Sequence, residues 1–151
     1  MGIELKRGGS LFIDTEPLIH FWMEHETYHP IMARLFDQVY EHKVQCIISM
    51  MTYAELMALP IRQKEYRTAA RCRNYLCHSE NIHLYPFDIL VADRAAIIRV
   101  NHEVKTPVAI QLATASFSGA EYVLTCDKNW RDIKEVSKLP FEIRLLEEVF
   151  D

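Results

Sequence analysis

Residues 105–130 read KTPVAIQLATASFSGAEYVLTCDKNW, and the order of signals within them decides the fold. Thr106 can cap a helix, Pro107 suits its first position, and Gly119 can end it in a left-handed conformation. Between those marks nearly every residue is apolar or small, so the helix is expected to be buried rather than half solvated. Ala109, Ala113 and Ser116 recur at helical spacing and let a neighbouring backbone come close. A short apolar strand, Glu121–Cys126, follows and ends in Asp127, with Asn129 just beyond. One residue is out of place. Val108 falls at the second helical position, where unpaired amides and the positive end of the dipole favour an acid or a small polar residue.

Working outward, the strand-then-acid pattern recurs. Ser10–Ile13 (SLFI) follows the Gly8-Gly9 break and runs into Asp14, although Asp14 or Thr15 could equally serve only as a cap for a helix around Pro17. Val44–Ser49 (VQCIIS) leads through Met50 and Met51 to Thr52, which can cap a helix carrying Glu55. Glu55 stands three residues after Thr52, so a capping box competes with a ligand role. Asn81–Leu84 and Phe141–Leu145 supply two more strands.

The segments between them read as helices. Pro17–His42 gives two, broken around Tyr28–Pro30, and in the second Ile31, Met32, Leu35, Phe36, Val39 and Tyr40 form an apolar stripe. Phe21, Trp22 and Met23 in the first are candidates for a partner contact, with core packing the competing use. Arg62–His78 is the densest basic segment and reads as a solvated face or as a phosphate-tracking rim. Ile89–His102, capped by Asp88, is expected to turn Leu90, Val91, Ile97 and Ile98 inward and Asp93, Arg94 and Arg99 outward. Strands separated by helices throughout imply a mostly parallel sheet covered on both faces, a three-layer α/β/α sandwich.

At 151 residues the chain suits one domain over 1–151, with no linker-like stretch. It has neither a signal-peptide pattern nor an apolar run long enough to span a bilayer, so a cytoplasmic location without membrane contact is the expectation. Cys46, Cys72, Cys77 and Cys126 show no metal-ligand spacing and read as reduced thiols, while His20, His25 and His29 read as surface or cap residues. A net charge of −4 argues against coating nucleic acid through a broad basic surface. It does not exclude a nuclease whose carboxylates recruit cations before a phosphate approaches.

Asp14, Glu55 and Asp127 each fall just beyond the carboxyl end of a different strand, the edge where open parallel sheets form their crevice. Converging carboxylates repel one another unless hard divalent cations hold them together. Such ions can activate water against a phosphodiester and stabilise the leaving oxygen. The inferred chemistry is metal-assisted phosphodiester hydrolysis. A nucleotide-binding or phosphoacceptor domain using Asp14 is the weaker reading, because the chain has no Gly-rich phosphate loop and no DxD there.

At LFIDT, TYAEL, the helix from Lys105 to Ala115 and LTCDKNW the chain resembles the PIN-domain ribonucleases, including the VapC toxins of bacterial and archaeal toxin–antitoxin pairs. The resemblance covers nearly the whole chain. It implies Mg²⁺- or Mn²⁺-dependent cleavage of single-stranded RNA, a homodimer and, for a toxin, neutralisation by a cognate antitoxin. It also implies that Asp14, Glu55 and Asp127 hold metal directly or through water, that Asn129 stands at a position often acidic, and that Thr125 is the hydroxyl preceding the last acid. The residue after KTP is normally the third acid, and here it is Val108. No Asp or Glu lies between Lys105 and Gly119 to replace it, and Gln111, one turn on, carries an amide but no charge. Val108 is therefore a lost acidic position. It leaves open a degenerate, non-catalytic PIN module that binds RNA or protein, a substitution acquired to spare an expression host, or a variant working with fewer acids.

Overall fold

The structure is a computed structural model, and it describes residues 5–149. Five strands, β1 (Ser10–Ile13), β2 (Gln45–Ser49), β3 (Ile82–Tyr85), β4 (Tyr122–Thr125) and β5 (Glu142–Leu145), form one sheet in the order β3-β2-β1-β4-β5. Every neighbouring pair is parallel. The helices are α1 (Thr15–Trp22), α2 (Tyr28–His42), α3 (Met50–Arg62), α4 (Tyr66–His78), α5 (Ile89–His102), α6 (Thr106–Ser118) and α7 (Trp130–Ser137), with a 3-10 turn at Leu146–Glu148.

The three central strands are short and mostly apolar because both faces are covered, while the edge strands β3 and β5 carry His83, Glu142 and Arg144. Leu11, Ile13, Cys46, Ile48 and Leu124 pack with Leu18 of α1, Met32, Leu35, Phe36 and Val39 of α2, Leu56 of α3, and Cys72 and Leu76 of α4. The alternate residues Phe12, Ile47, Val123 and Ile143 turn to the opposite face and meet Val91, Ala95 and Ile98 of α5, Ala109 and Leu112 of α6, and Trp130 and Ile133 of α7. This is the expected α/β/α sandwich. The chain winds from β1 outward through β2 to β3, then returns to the other side of β1 for β4 and β5. The winding direction therefore reverses between β1 and β4, and the connections leaving their carboxyl ends turn to opposite sides of the sheet, which leaves a crevice there.

Several local expectations change. Lys105, not Thr106, is the N-cap of α6 and offers no side-chain cap bond, so Thr106 and Pro107 are the first helical residues. Gly119 ends the helix at φ 73° as expected. Helix α3 begins at Met50 and is capped by Ser49, whose hydroxyl accepts from the Thr52 amide at 3.0 Å. That bond occupies the amide Glu55 would need, so no capping box forms. The basic stretch is divided: α3 runs to Arg62 and α4 starts at Tyr66, with Lys64 between them at φ 59°. On α5, Val91 and Ile98 are buried, but Leu90 and Ile97 are 58% and 57% exposed, because the helix packs inward along Val91, Ala95 and Ile98 alone. Met23 is exposed, while Phe21 and Trp22 are half-buried against the α1–α4 core. Helix α7 was not anticipated.

Candidate functional site

A cavity of about 360 Å³ opens at the carboxyl edge of the sheet, lined by the acids Asp14, Glu16, Glu55 and Asp127 together with Thr15, Val108, Gln111 and Trp130 among others. The three sequence-predicted acids thus share one wall. Asp14 arrives from the end of β1, Asp127 from the end of β4, and Glu55 from the second turn of α3. Asn129 is exposed and stands outside this lining.

Asp14 is the most firmly held of them. It is the N-cap of α1, its Oδ1 accepting from the Thr15 amide at 2.8 Å, so capping and site placement coincide. The Gln111 side-chain amide donates to the same oxygen at 2.9 Å, and the Thr125 hydroxyl donates to Oδ2 at 2.8 Å. A carboxylate offers roughly four lone-pair positions, so Oδ2 retains one for a further partner. The Asp14 backbone amide in turn donates to Leu124 O at 2.9 Å, continuing the β1–β4 pairing.

Behind Asp14 lies a buried polar network that the sequence did not announce. Gln111 is 2% exposed, and its Nε2 also reaches Thr52 Oγ1 at 2.8 Å and Thr15 Oγ1 at 3.3 Å. Its Oε1 accepts from Ser49 Oγ at 2.5 Å, and the hydroxyls of Thr15 and Thr52 bond each other at 2.7 Å. The amide of Gln111 is therefore committed to holding Asp14 rather than directed at a water in the cavity. Ser49 was legible only as the end of a strand and Thr52 only as a helix cap. Their second role depends on a partner from α6 some sixty residues away in sequence.

Thr125 links the two strand-end acids: it donates to Asp14 and its oxygen accepts from the Asp127 amide at 3.0 Å. Asp127 Oδ1 accepts from the Asn129 amide at 2.9 Å, so Asn129 supports the acid through its backbone. Burial pushes the Asp14 carboxyl above its ordinary value, opposed by hydrogen bonds from Gln111, Thr125 and the Thr15 amide. Glu55 is also raised, first by desolvation and then by the charge of Asp14, against a hydrogen bond from Thr15. Among the described residues, no Lys, Arg or His lines the cavity to relieve this repulsion.

That imbalance tests whether a hard cation suits the residues. Asp14, Glu55 and Asp127 do not bring oxygens from all three within 4.8 Å of one another among the described residues. Mg²⁺ commonly keeps several waters and takes only one or two carboxylates directly. The free lone pair on Asp14, two further acids and the absence of a basic side chain fit such a partly hydrated ion. Val108, half-buried between Pro107 and Gln111, presents methyl groups to the same cavity.

A doubly wound parallel sheet with acids gathered at its switch point defines the class of protein. The PIN domain family model matches residues 11–136, and the chain belongs to that family. Solved structures agree on the fold. VapBC2 from Rickettsia felis, bound to a DNA fragment of its promoter, superposes with a TM-score of 0.68 at 12% identity, covering 90% of this chain and 98% of that one. A toxin–antitoxin complex from Klebsiella pneumoniae matches at 26% identity with a TM-score of 0.58, over 78% of this chain and 86% of the other. VapC20 from Mycobacterium tuberculosis, described as a sarcin-ricin loop cleaving toxin, gives 0.64 at 16% identity over 81% and 93%. No curated protein matches the sequence significantly.

Proposed function

We propose that this chain is the toxin of a type II toxin–antitoxin pair, a PIN-type endoribonuclease that cleaves single-stranded RNA with Mg²⁺ or Mn²⁺ and is impaired by Val108. The observation that carries the reading is Asp14, held by donors from β4, α6 and its own helix at the switch point of the sheet, with Glu55 and Asp127 on the same cavity wall. The solved toxin–antitoxin relatives support the toxin assignment.

In this reading Asp14, Glu55 and Asp127 hold the ion directly or through water. Bound there, it supplies Lewis-acid stabilisation of a phosphodiester oxygen and a water of lowered pKa. The residues of the chain position the acids: Gln111 and Thr125 orient the Asp14 carboxylate, and Thr125 couples it to the Asp127 backbone. Asn129 supports Asp127 and stands close enough in sequence to join the ion's outer hydration. Val108 offers no oxygen. Since losing even a group that only orients a ligand costs about 10–100-fold in metal affinity or activity, losing a ligand removes at least that much.

The test is Val108→Asp. Mn²⁺-dependent cleavage of a single-stranded RNA should rise at least about tenfold over the unmodified chain and vanish again in the Val108→Asp, Asp14→Asn double variant. Absence of any metal-dependent cleavage by Val108→Asp refutes the nuclease scaffold. The second reading, a catalytically inactive PIN module that binds RNA or protein, is favoured by one observation: a valine, which offers no ligand atom, stands on the cavity wall at the position where the resemblance expects an acid. It expects RNA binding by the unmodified chain with no metal requirement.

A cognate antitoxin and a homodimer complete the proposal. The outer face of α5 supports the dimer, with Ile89, Leu90, Ile97 and Val100 between 57% and 78% exposed. Half-buried Phe21 and Trp22 line a groove with Tyr75 and Arg71 that suits an apolar segment of an antitoxin.

A further inference from the structure

Glu16 and His20 lie one helical turn apart on α1, and Cys126 follows the last residue of β4. Sequence spacing gives no hint that they meet, because 106 residues separate His20 from Cys126 and the open parallel sheet alone brings them together. Their ligand atoms all lie within 4.8 Å of one another, the one such His/Cys/Asp/Glu group among the described residues. His20 Nε2 is 3.5 Å from Glu16 Oε1. The carboxylates of Asp14, Glu55 and Asp127 do not gather this closely among the described residues.

We propose that Glu16, His20 and Cys126 form a binding site for a borderline-soft divalent cation, of which Zn²⁺ is the type, beside the hard-cation site at Asp14, Glu55 and Asp127, whose cavity Glu16 also lines. The donor set argues for the ion. One thiolate, one imidazole and one carboxylate with an open fourth position for water is a combination zinc accepts and magnesium does not. Tetrahedral zinc bonds of ~2.0–2.3 Å place neighbouring ligand atoms ~3.3–3.8 Å apart, so closure needs a contraction of about 1 Å. The Glu16 side chain, 59% exposed, has the freedom to make that move, and it approaches a His20 already held at the next turn. The His20 ring is braced by an edge contact with His25 at 4.6 Å and by Tyr28 at 5.0 Å.

Binding would release the thiol proton to solvent and leave a thiolate–zinc bond. Mechanically, the ion would tie the first turns of α1 to the end of β4. Those two segments carry Asp14 and Asp127, so occupancy would fix the spacing of the acids across the crevice.

The experiment uses the full chain, stripped of metal and kept reduced, titrated with Co²⁺ as a spectroscopic stand-in and then with Zn²⁺. A thiolate-to-cobalt charge-transfer band with tetrahedral d–d absorption is expected, displaced by one equivalent of Zn²⁺. Cys126→Ser should abolish the band, and His20→Ala and Glu16→Gln should each weaken cobalt binding at least about tenfold. Cys77→Ser, at the exposed thiol, and Asp127→Asn should leave the band in place. If Cys126→Ser disturbs the fold, Glu16→Gln at its exposed position gives the deciding reading. No charge-transfer band, a band that survives Cys126→Ser, or a band lost in Asp127→Asn overturns the proposal.

Discussion

Replacing Gln111 by Met tests whether the buried network exists to hold Asp14 as an anion. Met keeps the length and most of the volume of the side chain while removing both its donor and its acceptor. The lost bond to Asp14 Oδ1, 2.9 Å in the structure, is one to a charged group and contributes about 1.5–3 kcal/mol. The other losses are smaller. Thr15 and Thr52 retain their mutual bond at 2.7 Å, and Ser49 Oγ can turn wholly to Thr52 Oγ1, 3.1 Å away. The total is about 2–4 kcal/mol at neutral pH, or a fall in Tm of about 5–15 °C for a chain of this size. The sign with pH is fixed by Asp14. Its folded pKa lies above its ordinary value, and the Gln111 bond pulls it down, so removing that bond raises it further. Below the ordinary Asp value, about 3.9, both states hold a neutral carboxyl and the loss should shrink to that of a neutral bond, about 0.5–1.5 kcal/mol. Urea titrations of the variant and the unmodified chain at pH 7 and near pH 3.5 measure both numbers. Equal losses at the two pH values, or a loss below about 0.5 kcal/mol at pH 7, refute the assignment.

Asp14→Asn keeps the helix cap and removes the buried charge. Because a raised folded pKa stabilises the fold below the unfolded value and loses that contribution as pH rises through the folded one, Asn should raise Tm at pH 7 but not near pH 3, and a lower Tm at pH 7 contradicts the burial argument. Ser49→Ala deletes the cap of α3 and the partner of Gln111 Oε1 together, for an expected loss of about 1–3 kcal/mol in denaturant titration. Ile97→Glu, on the exposed face of α5, should change monomer stability by less than about 0.5 kcal/mol and shift the proposed homodimer to monomer in light scattering, and a dimer mass that the substitution leaves unchanged removes that face from the proposed interface.

The fold was legible where one physical signal dominated. Short apolar strands bounded by Gly or an acid, a Pro-started helix closed by Gly119 and the Asp88 cap of α5 all read correctly, because each follows from local backbone chemistry. Reading failed where two local solutions were equally good. Ser49 and Thr52 are both competent caps three residues apart; Ser49 takes the cap, and both hydroxyls also bond Gln111 from another element. Helix α5 carries two apolar stripes, one through Val91, Ala95 and Ile98 and one through Leu90, Ile97 and Val100, and periodicity cannot say which meets α6. Helix α7 is eight residues long with only Trp130 and Ile133 buried, too little apolar surface to stand out from a polar turn. The gathering of Asp14 and Asp127 was legible for a different reason: strand ends in a parallel sheet are fixed once the strands are found, whereas Glu55 reaches the cavity from the second turn of α3.

Val108 gains meaning from that electrostatics. Four acids line the cavity, with no basic side chain among them, and the charge of Asp14 is sustained by the dipoles of Gln111, Thr125 and the Thr15 amide. Those dipoles leave its pKa raised, and Glu55 is raised in part by Asp14 itself, so the metal-free site already carries repulsion. An acid at position 108 would add to it. The helix dipole would return only about 0.3–1 kcal/mol of that at the α6 N-terminus. In the proposed nuclease a valine there avoids that repulsion and offers no ligand, whereas an aspartate adds to the repulsion and strengthens the hold on a dication. Stability without metal and affinity for metal therefore pull position 108 in opposite directions.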